Sequence, residues 1–144
     1  MRALARFLKL GWTDKLLLFR CVFIVAKIRL GLTLFSYTTL RRWLATAAAS
    51  RTASDDVAQR IAWGVVNAAR IVPGATCLTQ AFAAQLMLAH AGYRSQMRIG
   101  VAKDERGQFI AHAWLISNDR VIVGGSSEDL QRYVSLTDLS LEPP

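Results

Sequence analysis

Cysteine, histidine and proline are scarce in this chain, with two, two and three residues among 144. So few thiols and imidazoles leave a structural zinc site almost without ligands, and neither metal nor cofactor is expected. Cys21 and Cys77 lie in segments of different character, and no signal peptide with a cleavage site precedes them, so reduced thiols and a cytoplasmic location are expected. Few prolines, a hydrophobic fraction of 53% and a charged fraction of 19% exclude a disordered chain. Long apolar runs are missing too: Arg20, Lys27 and Arg29 break residues 15–35, so no stretch approaches the ~18 residues of a membrane span. There is no repeat, no low-complexity tract, no DNA-reading motif and no interleaved basic-aromatic pattern, which argues against nucleic acid as a partner.

Acids are nearly absent from one part of the chain. Residues 1–60 hold eleven Lys and Arg against Asp14, Asp55 and Asp56, which accounts for the whole net charge of +8; the rest holds seven of each sign. A basic first part beside a neutral second part points to an acidic partner for the first, either a protein or an anionic membrane surface. Trp12, Trp43, Arg41 and Arg42 fit a helical subdomain with a solvated basic face as well as a docking surface. The division expected is a basic helical segment over 1–52 and a core over 53–144, in one compact unit.

The core reads as helices followed by strands. Thr52-Ala-Ser-Asp55 has capping-box form with Asp in place of Glu, and Val57, Ile61, Val65 and Ala68 recur at helical spacing until Pro73-Gly74. A second helix starts at about Cys77 with Thr76 as N-cap, buries Leu78, Phe82, Leu86 and Ala89, and ends at Gly92. Tyr93–Val101 alternates, Asp104–Gly107 turns, Gln108–Ser117 returns, Asn118-Asp119 turns again and Arg120–Gly124 closes the meander. The fold class is α+β, with the Cys77 helix packed on a small antiparallel sheet.

A thiol at a helix start lies beside unpaired N–H groups and the positive dipole end, an environment that favours thiolate and offers donors for an oxyanion. Of the two histidines, His90 lies thirteen residues further along the same helix, about 20 Å away at ~1.5 Å per residue, and is expected to interact with the helix C-terminus. His112 lies on a strand, where a meander packed on the helix brings imidazole toward sulfur.

Several segments resemble the leader peptidases of lasso-peptide biosynthesis, which belong to the transglutaminase-like cysteine protease superfamily. These are Cys77-Leu78 opening an Ala/Leu-rich helix, Gly92-Tyr93-Arg94, Met97–Val101, Phe109–Trp114, Val121–Gly125 and Tyr133–Leu136. The resemblance implies a transglutaminase-like fold with Cys77 as nucleophile, His112 as base and an acidic third residue. It also implies hydrolysis of a precursor's leader peptide, and as partners a leader-binding protein, expected as a separate chain, and a macrolactam-forming lasso cyclase. Acyl transfer on the same fold and an inactive leader-binding scaffold are the alternatives.

The third residue is the least defined. Asp119, at the tip of a two-residue turn, would sit on the order of 17 Å from His112 along the strand. The same register pairs Trp114 with Val123 and His112 with Gly125, where the chain reads Gly-Gly-Ser. Glu128 and Asp129 lie just beyond and would have to fold back. Otherwise Ser126 or a backbone carbonyl accepts from Nδ1–H and holds the ring.

Overall fold

The computed structural model describes residues 8–44 and 50–140, the side chains of 137–140 excepted. Its elements are α1 (Trp12–Leu34), α2 (Tyr37–Leu44), α3 (Asp55–Ile71), α4 (Cys77–His90), β1 (Gln96–Lys103), β2 (Phe109–Ser117), β3 (Arg120–Val123), α5 (Ser127–Leu130) and β4 (Val134–Ser140). The strands form one antiparallel sheet in the order β3-β2-β1-β4. The α+β architecture expected from the sequence is observed, with a fourth strand that the alternation pattern did not announce.

α4 lies at the centre. Its residues Ala81 to Ala89 are all buried, Gln85 included, because α1 and α3 cover it on one side and β2 on the other. The narrow stripe Leu78, Phe82, Leu86, Ala89 therefore understates its burial; a helix enclosed by other elements needs small or apolar residues all round, and this one supplies four buried alanines between 81 and 89. Thr76 caps its start by accepting from the Thr79 N–H, while the Thr79 hydroxyl accepts from the Thr76 N–H. Its end is a Schellman turn, in which Tyr93 N–H bonds the Leu88 carbonyl and Gly92 takes φ +84.

α1 and α3 cross closely over α4. Cys21 of α1 is fully buried, its Sγ 3.3 Å from the Met87 sulfur, and Gly64 of α3 lies against it: a Cβ there would come within 2.6 Å of Cys21 Sγ. Asp14 and Arg60 pair at 2.7 Å across the two helices, and Arg120 and Asp55 at 2.6 Å tie β3 to the start of α3. Both pairs are exposed and contribute little, roughly 0–1 kcal/mol each. The N-cap of α3 is Ser54, whose Oγ accepts from Val57 N–H. Thr52 precedes the helix by too much to reach its first turn, which corrects the capping box expected there.

The β1–β2 turn is held by Asp104, whose Oδ1 accepts from the N–H groups of Arg106 and Gln108, both at 2.9 Å. Asn118 and Asp119 take φ 52 and 58, the left-handed geometry of a two-residue hairpin turn. Beyond it the register slips. Ser117 pairs with Arg120 and Ile116 with Val121, but Leu115 pairs with Val123, leaving Ile122 as an extra residue in β3. Val123 thus faces Leu115 and not Trp114.

The Gly64 contact gives a stability test. Gly64→Ala should destabilise the protein by about 1–3 kcal/mol in urea titrations. In the Cys21→Ala background, with the sulfur gone, the same change should cost clearly less; strictly additive effects would deny the contact.

Candidate functional site

Cys77 is the first residue of α4 and half-buried against the core. Thr79 N–H is taken by Thr76 Oγ1 and Gln80 N–H by the Thr76 carbonyl, at 3.3 and 3.0 Å. The N–H groups of Cys77 and Leu78 belong to the first turn, which has no intrahelical acceptors for them. They point from the end of the helix where the thiol sits. The loop before it is buttressed by α1: Gly74 has φ +72, and a Cβ there would lie 2.9 Å from Arg29 Nε. Arg29 Nε is itself buried without a hydrogen-bond partner among the described residues.

His112 is half-buried on β2 and paired across the ladder with Gly100. One ring nitrogen, Nε2, makes a short hydrogen bond to the Gly124 carbonyl. A carbonyl only accepts, so Nε2 carries the proton and Nδ1 is left as the basic nitrogen. Of the ring-holding acceptors considered from sequence, a backbone carbonyl is the one used, and it takes Nε2–H where Nδ1–H was expected. The bulge at Ile122 sets Gly124 beside Trp114, the next residue on the His112 face of β2.

Gly124 has φ +108, and a Cβ on it would come within 2.6 Å of Trp114 Cβ and 2.9 Å of the Ala113 carbonyl. The His112 ring lies 5.4 Å from Tyr133 and 6.3 Å from Trp114, centroid to centroid. Trp114 and Tyr133 close over Gly100, whose Cβ would collide with both at 2.8 and 2.9 Å. Gly100, Tyr133 and the Gly124 carbonyl were not among the site residues read from sequence. The Gly124-Gly125 pair was the one available signal, as adjacent glycines mark backbone that other residues adopt only under strain.

The sheet's two faces differ. Met97, Ala113 and Leu115 lie in the core with α4, while His112 and Trp114, on the alternate positions, share the other face with Tyr133. No hydrogen bond joins the Cys77 thiol to His112 among the described residues. Among the described residues none of the three candidate acids is bonded to the imidazole. Asp119 sits at the hairpin tip. Asp129 is bound to Ser126: the Ser126 hydroxyl donates to Oδ2 at 2.6 Å and accepts from the Asp129 N–H, and the hydroxyl's bond, together with one from the Ser126 backbone, holds the exposed carboxyl below its ordinary pKa. Glu128 is exposed on α5. His90 is the exposed last residue of α4. Among the described residues no group of His, Cys, Asp and Glu is arranged to hold a metal ion.

The family model of the transglutaminase-like superfamily matches residues 22–138, and the chain belongs to that superfamily. Neither the comparison with curated proteins nor that with solved structures found a match. The match begins inside α1 and runs through the Cys77 helix, the His112 strand and most of β4.

Two outcomes check this geometry. Burial pushes the Cys21 thiol up to about 11, against a minor lowering by Arg20. At pH 8 iodoacetamide should therefore alkylate Cys77 at least tenfold faster than Cys21, read by peptide mass spectrometry. Comparable rates would mean that Cys21 is neither buried nor protonated. Gly124→Ala should lower stability by about 1–3 kcal/mol and shift the 15N resonances of His112 away from the Nε2–H form, whereas Gly125→Ala, with open space around its Cβ position, should leave those resonances in place.

Proposed function

We propose that the protein is a cysteine peptidase that removes the leader from a ribosomally made lasso-peptide precursor, working with a leader-binding protein and a macrolactam cyclase. The observation that carries the reading is Cys77 at the capped start of α4, packed against the strand that carries a singly tautomeric His112, in a chain of transglutaminase-like class. The finer assignment to lasso-peptide maturation is supported by the Met97–Val101 and Phe109–Trp114 segments.

In this reading His112 Nδ1 takes the Cys77 proton, and the thiolate attacks the carbonyl ahead of the cleavage site. The N–H groups of Cys77 and Leu78 receive the oxyanion. The amine leaves with the proton, and water then releases the acyl group from sulfur. Gly124 does for the imidazole what an acidic residue does elsewhere: its carbonyl fixes the tautomer, though without a charge to stabilise the imidazolium. Among the described residues no thiol–imidazole bond is present, so this step requires one to form in the substrate complex, with His112 turned toward the thiol.

A second reading, a scaffold that binds the leader without cutting it, is favoured by the lack, among the described residues, of any bond from Asp119, Glu128 or Asp129 to His112 and by the opposite-facing alternation of β2. The two readings differ in a cleavage assay with precursor and purified leader-binding protein, followed by mass spectrometry. Cys77→Ala should abolish cleavage and His112→Ala should slow it by about 10²–10⁴-fold, with His90→Ala near wild type. Because a carbonyl holds the ring, Asp119→Asn, Glu128→Gln and Asp129→Asn should each stay within about tenfold of wild type, well short of the ~10⁴ loss that follows removal of a triad aspartate. Cleavage that survives Cys77→Ala, or none from the wild-type chain with its partners, would sink the peptidase reading.

A further inference from the structure

α1 is apolar on two opposite sides. Leu18, Cys21, Val25 and Ile28 face the core. At about 100° per residue, Trp12, Leu16, Phe19, Phe23, Leu30 and Leu34 fall within an arc of about 60° on the other side. All six are between 58% and 83% exposed. They form one line about 33 Å long, which differs from the scattered single exposures normal on a protein surface.

Charge frames this line. Arg20 and Lys27 border it on one side and Lys15 on the other, with Lys27 Nζ 5.5 Å above the Phe23 ring. The sole acid of α1, Asp14, is turned toward α3 and paired with Arg60. Past Arg20 and Lys27, which line its edge, α1, α2 and α4 enclose a mainly apolar groove of about 560 Å³, walled by Phe23, Phe35, Leu40, Trp43 and Leu86. No described helix is long and apolar enough to cross a membrane.

A second copy of the chain is a poor occupant, because two such faces would set rows of Lys and Arg against each other. A partner helix would need a cleft along the whole line, whereas Trp12, Leu16 and Phe19 stand on the outer ridge of a single helix, outside the groove. A ridge of aromatic and aliphatic side chains between basic borders has the form of a helix lying in a lipid interface, rings in the acyl boundary and cations at the headgroups. We propose that the outer face of α1 seats the protein on an anionic lipid surface. The proposal stands on this surface alone and holds whether or not Cys77 and His112 cleave a leader.

The test is flotation of the full chain with vesicles of phosphatidylcholine alone or mixed equally with phosphatidylglycerol, at low and high salt. Wild type should float with the mixed vesicles at low salt, weakly at high salt and weakly with phosphatidylcholine alone. The paired changes Phe19→Gln with Phe23→Gln, and separately Arg20→Gln with Lys27→Gln, should each lower the partition coefficient about tenfold or more. Circular dichroism melts check folding, and Leu30→Gln with Leu34→Gln gives an independent apolar pair. Absence of flotation, or flotation untouched by either apolar pair, overturns the proposal. So does a dimer in light scattering, or capture of an acidic amphipathic peptide, that the Phe19/Phe23 pair abolishes while vesicles are ignored; these would assign the face to a second copy or to a protein partner.

Discussion

The enclosure of α4 governs the rest of this structure. A helix buried from Ala81 to Ala89 has no solvent face on which to carry polar residues, so its neighbours must supply apolar surface on every side. α1 and α3 do so by crossing closely at Cys21 and Gly64, and β2 does so through Ala113 and Leu115. Burial of this kind stabilises by roughly 1.5–3 kcal/mol for each large side chain removed from water, and Phe82, Leu88 and Met87 are nearly or wholly inaccessible. With its body fixed, only the two ends of α4 meet solvent, and the N-terminal end is where Cys77 stands. The Cys77 thiol gains its position from burial elsewhere on the same helix.

The site on the sheet depends on one irregularity. A regular hairpin beyond Asn118-Asp119 would have set Val123 opposite Trp114 and Gly125 opposite His112. The extra residue Ile122 moves the strand by one place and sets Gly124 beside Trp114, and the Gly124 carbonyl accepts from His112 Nε2. The positive φ of Gly124 and the closeness of Trp114 then make glycine obligatory there. An uncharged acceptor thus stands where the superfamily resemblance led us to expect a carboxylate.

Local signals made much of the fold legible. The Thr76 cap, the Gly92 terminator, the Asp104–Gly107 turn and the Asn118-Asp119 turn are each decided by residues within four positions of one another, and each was found where expected. What escaped depends on distant partners. β4 forms by pairing with β1 across more than thirty residues, the bulge in β3 has no sequence mark of its own, and Thr52 and Ser54 are both capping residue types, of which Ser54 is the one used. At the site, Cys77 at a helix start and His112 on a strand were legible as placements. The face on which His112 points, and the carbonyl that holds it, required the register.

Composition divides the chain near residue 52, yet the core does not. α1 contributes Cys21, Val25 and Ile28 to the same cluster that holds Phe82, Leu88 and Met97, and Arg51 bonds backbone to backbone with Gly92 and Arg94 at the far end of α4. Were the backbone cut between α2 and α3, the two fragments would remain clasped, each presenting an apolar surface shaped for the other. The protein is in this sense a natural candidate for division into complementing halves, with the thiol on one half and the outward ridge of α1 on the other.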